Sequence, residues 1–419
     1  MNHTKAPLGR RQFLQLGLAG GAGLLATRFG FAAAPAADAT DARFVFIILR
    51  GALDGLAAVP PYGDPDYAGL RAQLAIPAPG NAGGALALDG IFGLNPGLSF
   101  VHEAYGLREA LVFHAVATPY RDRSHFDGQD VLETGLGRPH ASQSGWLNRA
   151  LLGLPVASMR GPERGVALGP NVPLVLRGPA PIASWSPSKL PEIDEDTLQR
   201  IADRYASDPL LSQRLAAALA TDAVAAQSTD GETRMTAAAD AGVPGRAGAS
   251  RYLQTVRTAA QFIKRNDGPR VAVFDTIGWD THFNEGGAQG QLTQRLAALD
   301  AALATLKQSL GTVWSRTAVL MATEFGRTVA TNGTGGTDHG TGAAAFLLGG
   351  AVNGGRVIAD WPGLSARALY DGRDLKSTLD LRSLTKSVLR DHLHISTRML
   401  DGEVFPDNGT PYIGDLMRA

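Results

Sequence analysis

The chain contains no cysteine in 419 residues. That absence excludes disulfides, thiolate metal sites and a cysteine nucleophile, so any metal must be held by His, Asp and Glu. An excess of charge is also missing: 39 Lys and Arg balance 39 Asp and Glu. A neutral chain has no electrostatic means of gathering nucleic acid or an anionic membrane, and no nucleic-acid partner is expected. No internal repeat of fixed period occurs. The apolar stretch 13–25 is short and diluted by Gly17, Gly20, Gly21 and Gly23, too little to cross about 30 Å of hydrocarbon comfortably.

What surrounds that stretch gives it a different meaning. Lys5, Arg10 and Arg11 precede it with no acidic residue before Asp38, and small residues with A-x-A frames follow at 32–34, 34–36 and 37–39. These are the three zones of a secretory signal. Arg10-Arg11-Gln12-Phe13-Leu14 is the paired-arginine element that a receptor reads as an address. The expectation is a twin-arginine signal over 1–36, cleaved during export to the periplasm or beyond, with the twin-arginine machinery as partner and no stable membrane span left. That route carries folded proteins, which suits a chain that acquires a metal before crossing. About 380 residues remain, ample for a large α/β sheet.

RFVFIIL at 43–49 is a continuous β-branched and aromatic run, the habit of a strand buried on both faces. Similar runs recur at 110–116, 270–274, 317–323 and 343–348. Helix-length segments separate them. In 291–310, Leu292, Leu296, Leu299, Leu303, Leu306 and Leu310 alternate four- and three-residue steps, an amphipathic stripe. Residues 380–394 read as a closing amphipathic helix. The alternation predicts a mostly parallel sheet covered on both faces. The segment 191–265 reads as a helical insertion or cap, with a loose polar connector at 226–250.

Ligands of open α/β sheets bind outside the carboxyl ends of the strands. After the first strand comes RGALDG, with Asp54; after the second comes TPYRDRSHFD, with Arg121, Arg123, Ser124, His125 and Asp127. After 271–274 comes GWDTH, with Asp280 and His282; after 319–323 come Glu324 and Arg327, then a Gly-rich loop with Asp338 and His339. Carboxylates thus arrive at four strand ends and imidazoles at three. Oxygen ligands mixed with His and no thiolate suit Zn²⁺, Mn²⁺ or Mg²⁺. Glycines flanking Asp338-His339 fit a backbone held closely around a ligand.

Each element has a plainer alternative. Asp54 can be a turn residue before Gly55, and Ser124 with Asp127 can form a capping box. Asp280 and His282 can be a loop hydrogen-bond pair, and Glu324 can pair with Arg327. His114 and His125 stand as supporting groups.

The runs RGALDG, PYRDRSHFDGQD, GWDTHFN, TEFGRT, GTDHGTG and GGRVIADWPGL together resemble the exported bacterial family called domain of unknown function 1501. That family is grouped with the alkaline-phosphatase and sulfatase-like superfamily. The resemblance implies a three-layer α/β/α domain over 40–415, alkaline-phosphatase-like, with the 191–265 insertion inside it. It implies one or two divalent metals held by Asp54, Asp280, His282, Glu324, Asp338 and His339. Ser124 would be the nucleophile, with Arg121, Arg123 or Arg327 neutralising the ester oxygens. The superfamily spaces its Asp and His as D-x-x-x-H, where this chain has D-x-H, and Phe325 follows Glu324 where a His is usual. In the C/S-x-P-x-R signature of sulfatases this chain has Ala117 at the first position, so formylglycine cannot form there. The expected activity is hydrolysis of small phosphate or sulfate-type esters. The alternative is a non-catalytic exported binding or assembly protein that keeps the fold.

Overall fold

The computed structural model describes residues 41–158, 161–187, 195–226, 246–406 and 409–418. The expected signal at 1–36 and most of the 226–250 connector lie outside the described residues.

The strands in chain order are β1 (Arg43–Arg50), β2 (Leu86–Ala87), β3 (Gly93–Leu94), β4 (Ala110–Ala117), β5 (Gly165–Leu168), β6 (Ile182–Trp185), β7 (Val271–Ile277), β8 (Thr317–Ala322), β9 (Ala343–Leu348), β10 (Arg356–Ile358) and β11 (Leu379–Asp380). β2 and β3 form a separate small hairpin. The other nine make one sheet in the order β10-β4-β9-β8-β1-β7-β5-β6, with β11 alongside β4. β9 runs antiparallel to both its neighbours, and every other pairing is parallel. The sheet is therefore mixed and mostly parallel.

β1 shows why an unbroken apolar run was needed. Val45, Ile47 and Leu49 enter one core, and Phe44, Phe46 and Ile48 enter the other. Successive side chains point to opposite faces of a strand, so only a strand with no polar face can sit between two helical layers. The first core is closed by the helices Ser99–Gly106, Arg246–Lys264 and Gln291–Leu310, the second by Trp146–Leu152 and Leu381–Asp391. All six leucines of the 291–310 stripe are buried. The three-layer α/β/α architecture is thus present. Among the described residues no helix is long and apolar enough to cross a membrane.

The segment 191–265 is more integral than an insertion. Its last helix, Arg246–Lys264, places Val256, Ala259, Ala260 and Ile263 in the first core. Only the preceding helices, Glu195–Tyr205 and Pro209–Ala226, are largely solvated, with Val224 and Ala225 buried. An Ala-rich sequence reads the same whether it covers a sheet or lies over it, so composition alone could not separate the two.

Candidate metal centre

β1 lies between β7 and β8, so the turns leaving their carboxyl ends are neighbours. The turn after β1 approaches the turn after β7 closely enough to demand glycine. A Cβ on Gly51 (φ +117°) would sit 2.8 Å from the backbone nitrogen of Asp280. Gly51 also donates its N–H to Oε1 of Glu324 at 2.8 Å. On the other side, the 332–340 loop presses on the 281–282 backbone, where a Cβ on Gly336 would lie 2.4 Å from the His282 carbonyl carbon. Thr337 N–H donates to the Thr281 carbonyl there at 3.1 Å.

These contacts gather a cluster around Asp280. Its Oδ1 lies 3.1 Å from His282 Nε2, 3.3 Å from His339 Nε2 and 2.6 Å from Arg327 Nη1. Its Oδ2 lies 3.4 Å from His125 Nε2. Donor atoms of His125, Asp280 and His339 all fall within 4.8 Å of one another. His282 adjoins them, with Nε2 2.9 Å from His339 Nε2.

Each imidazole is held by its other nitrogen. His125 Nδ1 donates to Glu324 Oε1 at 2.8 Å, His282 Nδ1 to Asp338 Oδ1 at 3.2 Å, and His339 Nδ1 to the Arg123 carbonyl at 2.8 Å. A carbonyl or an ionised carboxylate only accepts, so each Nδ1 carries a proton, and each ring in its neutral form offers a bare Nε2 to the cluster. His125 Nε2 is buried with no hydrogen-bond partner. An outer carboxylate or carbonyl that fixes the tautomer of a ligating His is the usual support of a metal site. The residues present therefore fit a divalent cation.

The electrostatics agree. Burial opposes the charge on Asp280, but Arg327, His282 and His125 hold its carboxyl below the usual range. Burial likewise opposes Glu324, which hydrogen bonds from His125, Gly51 and Gln129 keep ionised. Hydrogen bonds from Asn332 and then His282 lower Asp338. The bond to Glu324 raises His125 above the ordinary imidazole range against burial. Burial lowers His339 despite the Arg123 carbonyl.

The sequence-derived candidates divide accordingly. Asp280, His282, Glu324, Asp338, His339 and Arg327 come together. Glu324 and Asp338, expected as ligands, instead orient His125 and His282. Asp54 is elsewhere: its Oδ1 caps the short helix Gly55–Ala58 through Leu56 and Ala57 N–H, and its Oδ2 pairs with buried Arg71. The turn reading of Asp54 is the one realised, because a fully buried carboxylate needs a compensating charge. In RGALDG it is Gly51 that reaches the cluster.

Ser124 occupies the N-cap position of the helix His125–Thr134 but makes no capping bond, so the expected capping box is not formed. Its backbone N–H donates to the Tyr120 hydroxyl at 3.2 Å. Arg121 is spent on the Thr118 and Tyr120 carbonyls and on Ser377. Arg123 bonds Asp374 at 2.8 Å and Asp371 at 3.0 Å. Arg327 is buried against Asp280 and Thr337. The close approach at Gly336 is to the chain's own backbone. His114 lies in the core, stacked on Phe92, with Nε2 3.0 Å from the Val59 carbonyl.

His125 is the donor that sequence reasoning ranked too low. Its signal was position: it opens the first helix after β4, where the ring can turn back toward the sheet. Phe325, at a place where a ligand was expected, stacks on the His125 ring at 5.1 Å and floors the cluster.

No curated protein matches the chain. Among solved structures, the lipoteichoic acid synthase LtaP from Listeria monocytogenes is 10% identical, with 88% of this chain and 76% of that chain covered and a TM-score of 0.41. The phosphonate monoester hydrolase of Agrobacterium radiobacter is 11% identical, with 84% and 74% covered and a TM-score of 0.35. The family model for proteins of unknown function called DUF1501 matches residues 106–404, and the chain belongs to that family.

Proposed function

We propose that this protein is an exported, divalent-metal-dependent hydrolase of phosphate or sulfate-type esters. One observation carries the metal reading: His282 and His339, each with its Nδ1 already donating, face each other through Nε2 atoms at 2.9 Å beside the Asp280 carboxylate. Neutral rings so placed turn lone pairs on each other, a repulsion that a divalent cation, or a proton on one ring, relieves. His125, His282, His339 and Asp280 would hold it, and Glu324, Asp338 and the Arg123 carbonyl would fix the rings. A nitrogen-rich donor set suits Zn²⁺ or Mn²⁺ better than Mg²⁺, which prefers oxygen. A divalent cation there supplies Lewis-acid stabilisation of charge developing on an ester oxygen. Ser124, one residue before His125, would attack the ester centre, its proton leaving with the expelled alcohol, and water would then cleave the seryl ester to release the phosphate or sulfate. The signal-like segment 1–36 supports export through the twin-arginine machinery to the periplasm or beyond.

A second reading, a metal-holding export protein without turnover, is favoured by the arginines. Arg121, Arg123 and Arg327 are all engaged by protein groups, leaving none of them free for the substrate's equatorial oxygens. The test is metal content of the mature protein by mass spectrometry, then a screen on nitrophenyl phosphate, bis-nitrophenyl phosphate and nitrophenyl sulfate. Turnover lost in both Ser124→Ala and His339→Ala supports the proposal. Turnover kept in Ser124→Ala removes Ser124 as nucleophile, and a metal-loaded protein inert on all three esters supports the second reading. A protein that binds no metal overturns both.

A further inference from the structure

Next to the metal centre, over the carboxyl ends of β5, β6 and β7, lies a cleft of about 680 Å³. Small-molecule sites are typically about 300–1,000 Å³ and mostly apolar with a few convergent polar groups. This cleft has that composition. Leu168, Ile277, Trp279 and Leu299 supply apolar wall, and its polar groups include Asp275, Arg295 and Tyr252.

The charges are unevenly satisfied. Asp275 is already paired with Arg50. Arg295, on the helix Gln291–Leu310, has no hydrogen bond or ion pair among the described residues. Its guanidinium lies over Gly278, close enough that a Cβ there would be 3.4 Å from Cζ. Tyr252, on the helix Arg246–Lys264, has a buried hydroxyl without a hydrogen-bond partner, its ring edge-on to Phe274 at 6.0 Å. A buried unsatisfied hydroxyl is uncommon and calls for a partner. An unpaired cation and an orphan hydroxyl therefore line one apolar cleft.

We propose that this cleft binds a small organic anion with an aromatic or apolar body, its charged group held by Arg295 and a polar atom of its body by the Tyr252 hydroxyl. The inference is independent of the metal reading, because none of its residues belongs to the His125–Asp280–His339 cluster.

The test uses the mature protein, with or without metal, and the fluorescent aromatic sulfonate 8-anilinonaphthalene-1-sulfonate. Its uncharged counterpart N-phenyl-1-naphthylamine reports the apolar wall alone. The expected result is saturable binding at one site, with Arg295→Met weakening the sulfonate by about tenfold or more, the worth of a charge-assisted contact. The same variant should leave the neutral probe within about twofold, since a Met keeps the apolar stem of Arg. Ala298→Trp, at an exposed position on the cleft wall, should abolish both probes while the thermal midpoint stays unchanged. Sulfonate binding equal in wild type and Arg295→Met overturns the proposal, as do binding that survives Ala298→Trp and the absence of saturable binding.

Discussion

The Nε2 atoms of His282 and His339 stand 2.9 Å apart, each on a ring whose Nδ1 is already donating, to Asp338 and to the Arg123 carbonyl. The two residues come from different loops, 57 positions apart, and meet only because those loops close on each other at Gly336. Removing one of these nitrogens should therefore remove the cation. His339→Ala is expected to lower Zn²⁺ affinity by more than the roughly 10–100-fold typical of lost outer-shell support, as read by calorimetric titration. Affinity equal to wild type would mean the cluster is an ordinary hydrogen-bond network.

Metal binding should weaken as pH falls through the imidazole range, because protons compete for the same nitrogens. Glu324 raises the His125 pKa, so in Glu324→Gln the proton leaves His125 at lower pH. Affinity at pH 8 is expected to fall by about 10–100-fold in that variant, while the midpoint of proton competition, read as the bend in log affinity against pH, shifts downward with the His125 pKa. A midpoint that does not move would show that His125 is not a ligand.

Asp54 should matter to stability and not to metal. Asp54→Asn can still cap Gly55–Ala58 but removes the carboxylate that compensates buried Arg71. Breaking a buried pair typically costs about 3–5 kcal/mol, which a urea melt would read. The metal stoichiometry of the refolded variant should match wild type. A loss of metal in the folded variant would restore Asp54 to the ligand set.

Glu285 gives the fold a pH dependence of its own. Burial first, and then the neighbouring Asp54 charge, push its carboxyl up to about 8 from an ordinary 4.5. Between those values the folded chain keeps a proton that the unfolded chain releases, so this group's contribution to stability is full below about pH 4.5 and is lost toward pH 8. Glu285→Gln carries no such proton and should flatten that decline, with a higher thermal midpoint than wild type at pH 8. A variant with the wild-type slope would place the titration elsewhere.

Gly336→Ala is expected to destabilise by about 1–3 kcal/mol, the usual range for overpacking, because the new methyl would meet backbone atoms of 281–282 at 2.4–2.5 Å. Displacing that loop moves His339 from His282, so metal affinity should drop as well. Gly333→Ala, in the same loop with open space around it, serves as the control and should change neither.

Much of the layout was legible in the sequence because local chemistry dictated it. The unbroken apolar runs at 43–49 and 317–323 have no polar face, so they must lie inside a sheet covered twice. The leucine steps from 292 to 310 admit one buried helix face. A site at the strand ends follows from parallel connectivity, and the side chains of Asp280, His282, Glu324, Asp338 and His339 do lie together there. The reversed direction of β9 was not legible, since a buried strand reads the same in either sense.

Roles, as opposed to places, came from tertiary contacts. Sequence determined which residue types were available, with no thiolate to offer and a supply of carboxylates and imidazoles at successive strand ends. Only the folded chain decided that Asp54 would face Arg71, that Glu324 and Asp338 would steer rings, and that His125 would turn inward over Phe325. A side chain's role depends on which atom lies within about 3 Å of it, and residues 17 to 199 positions away supply those atoms.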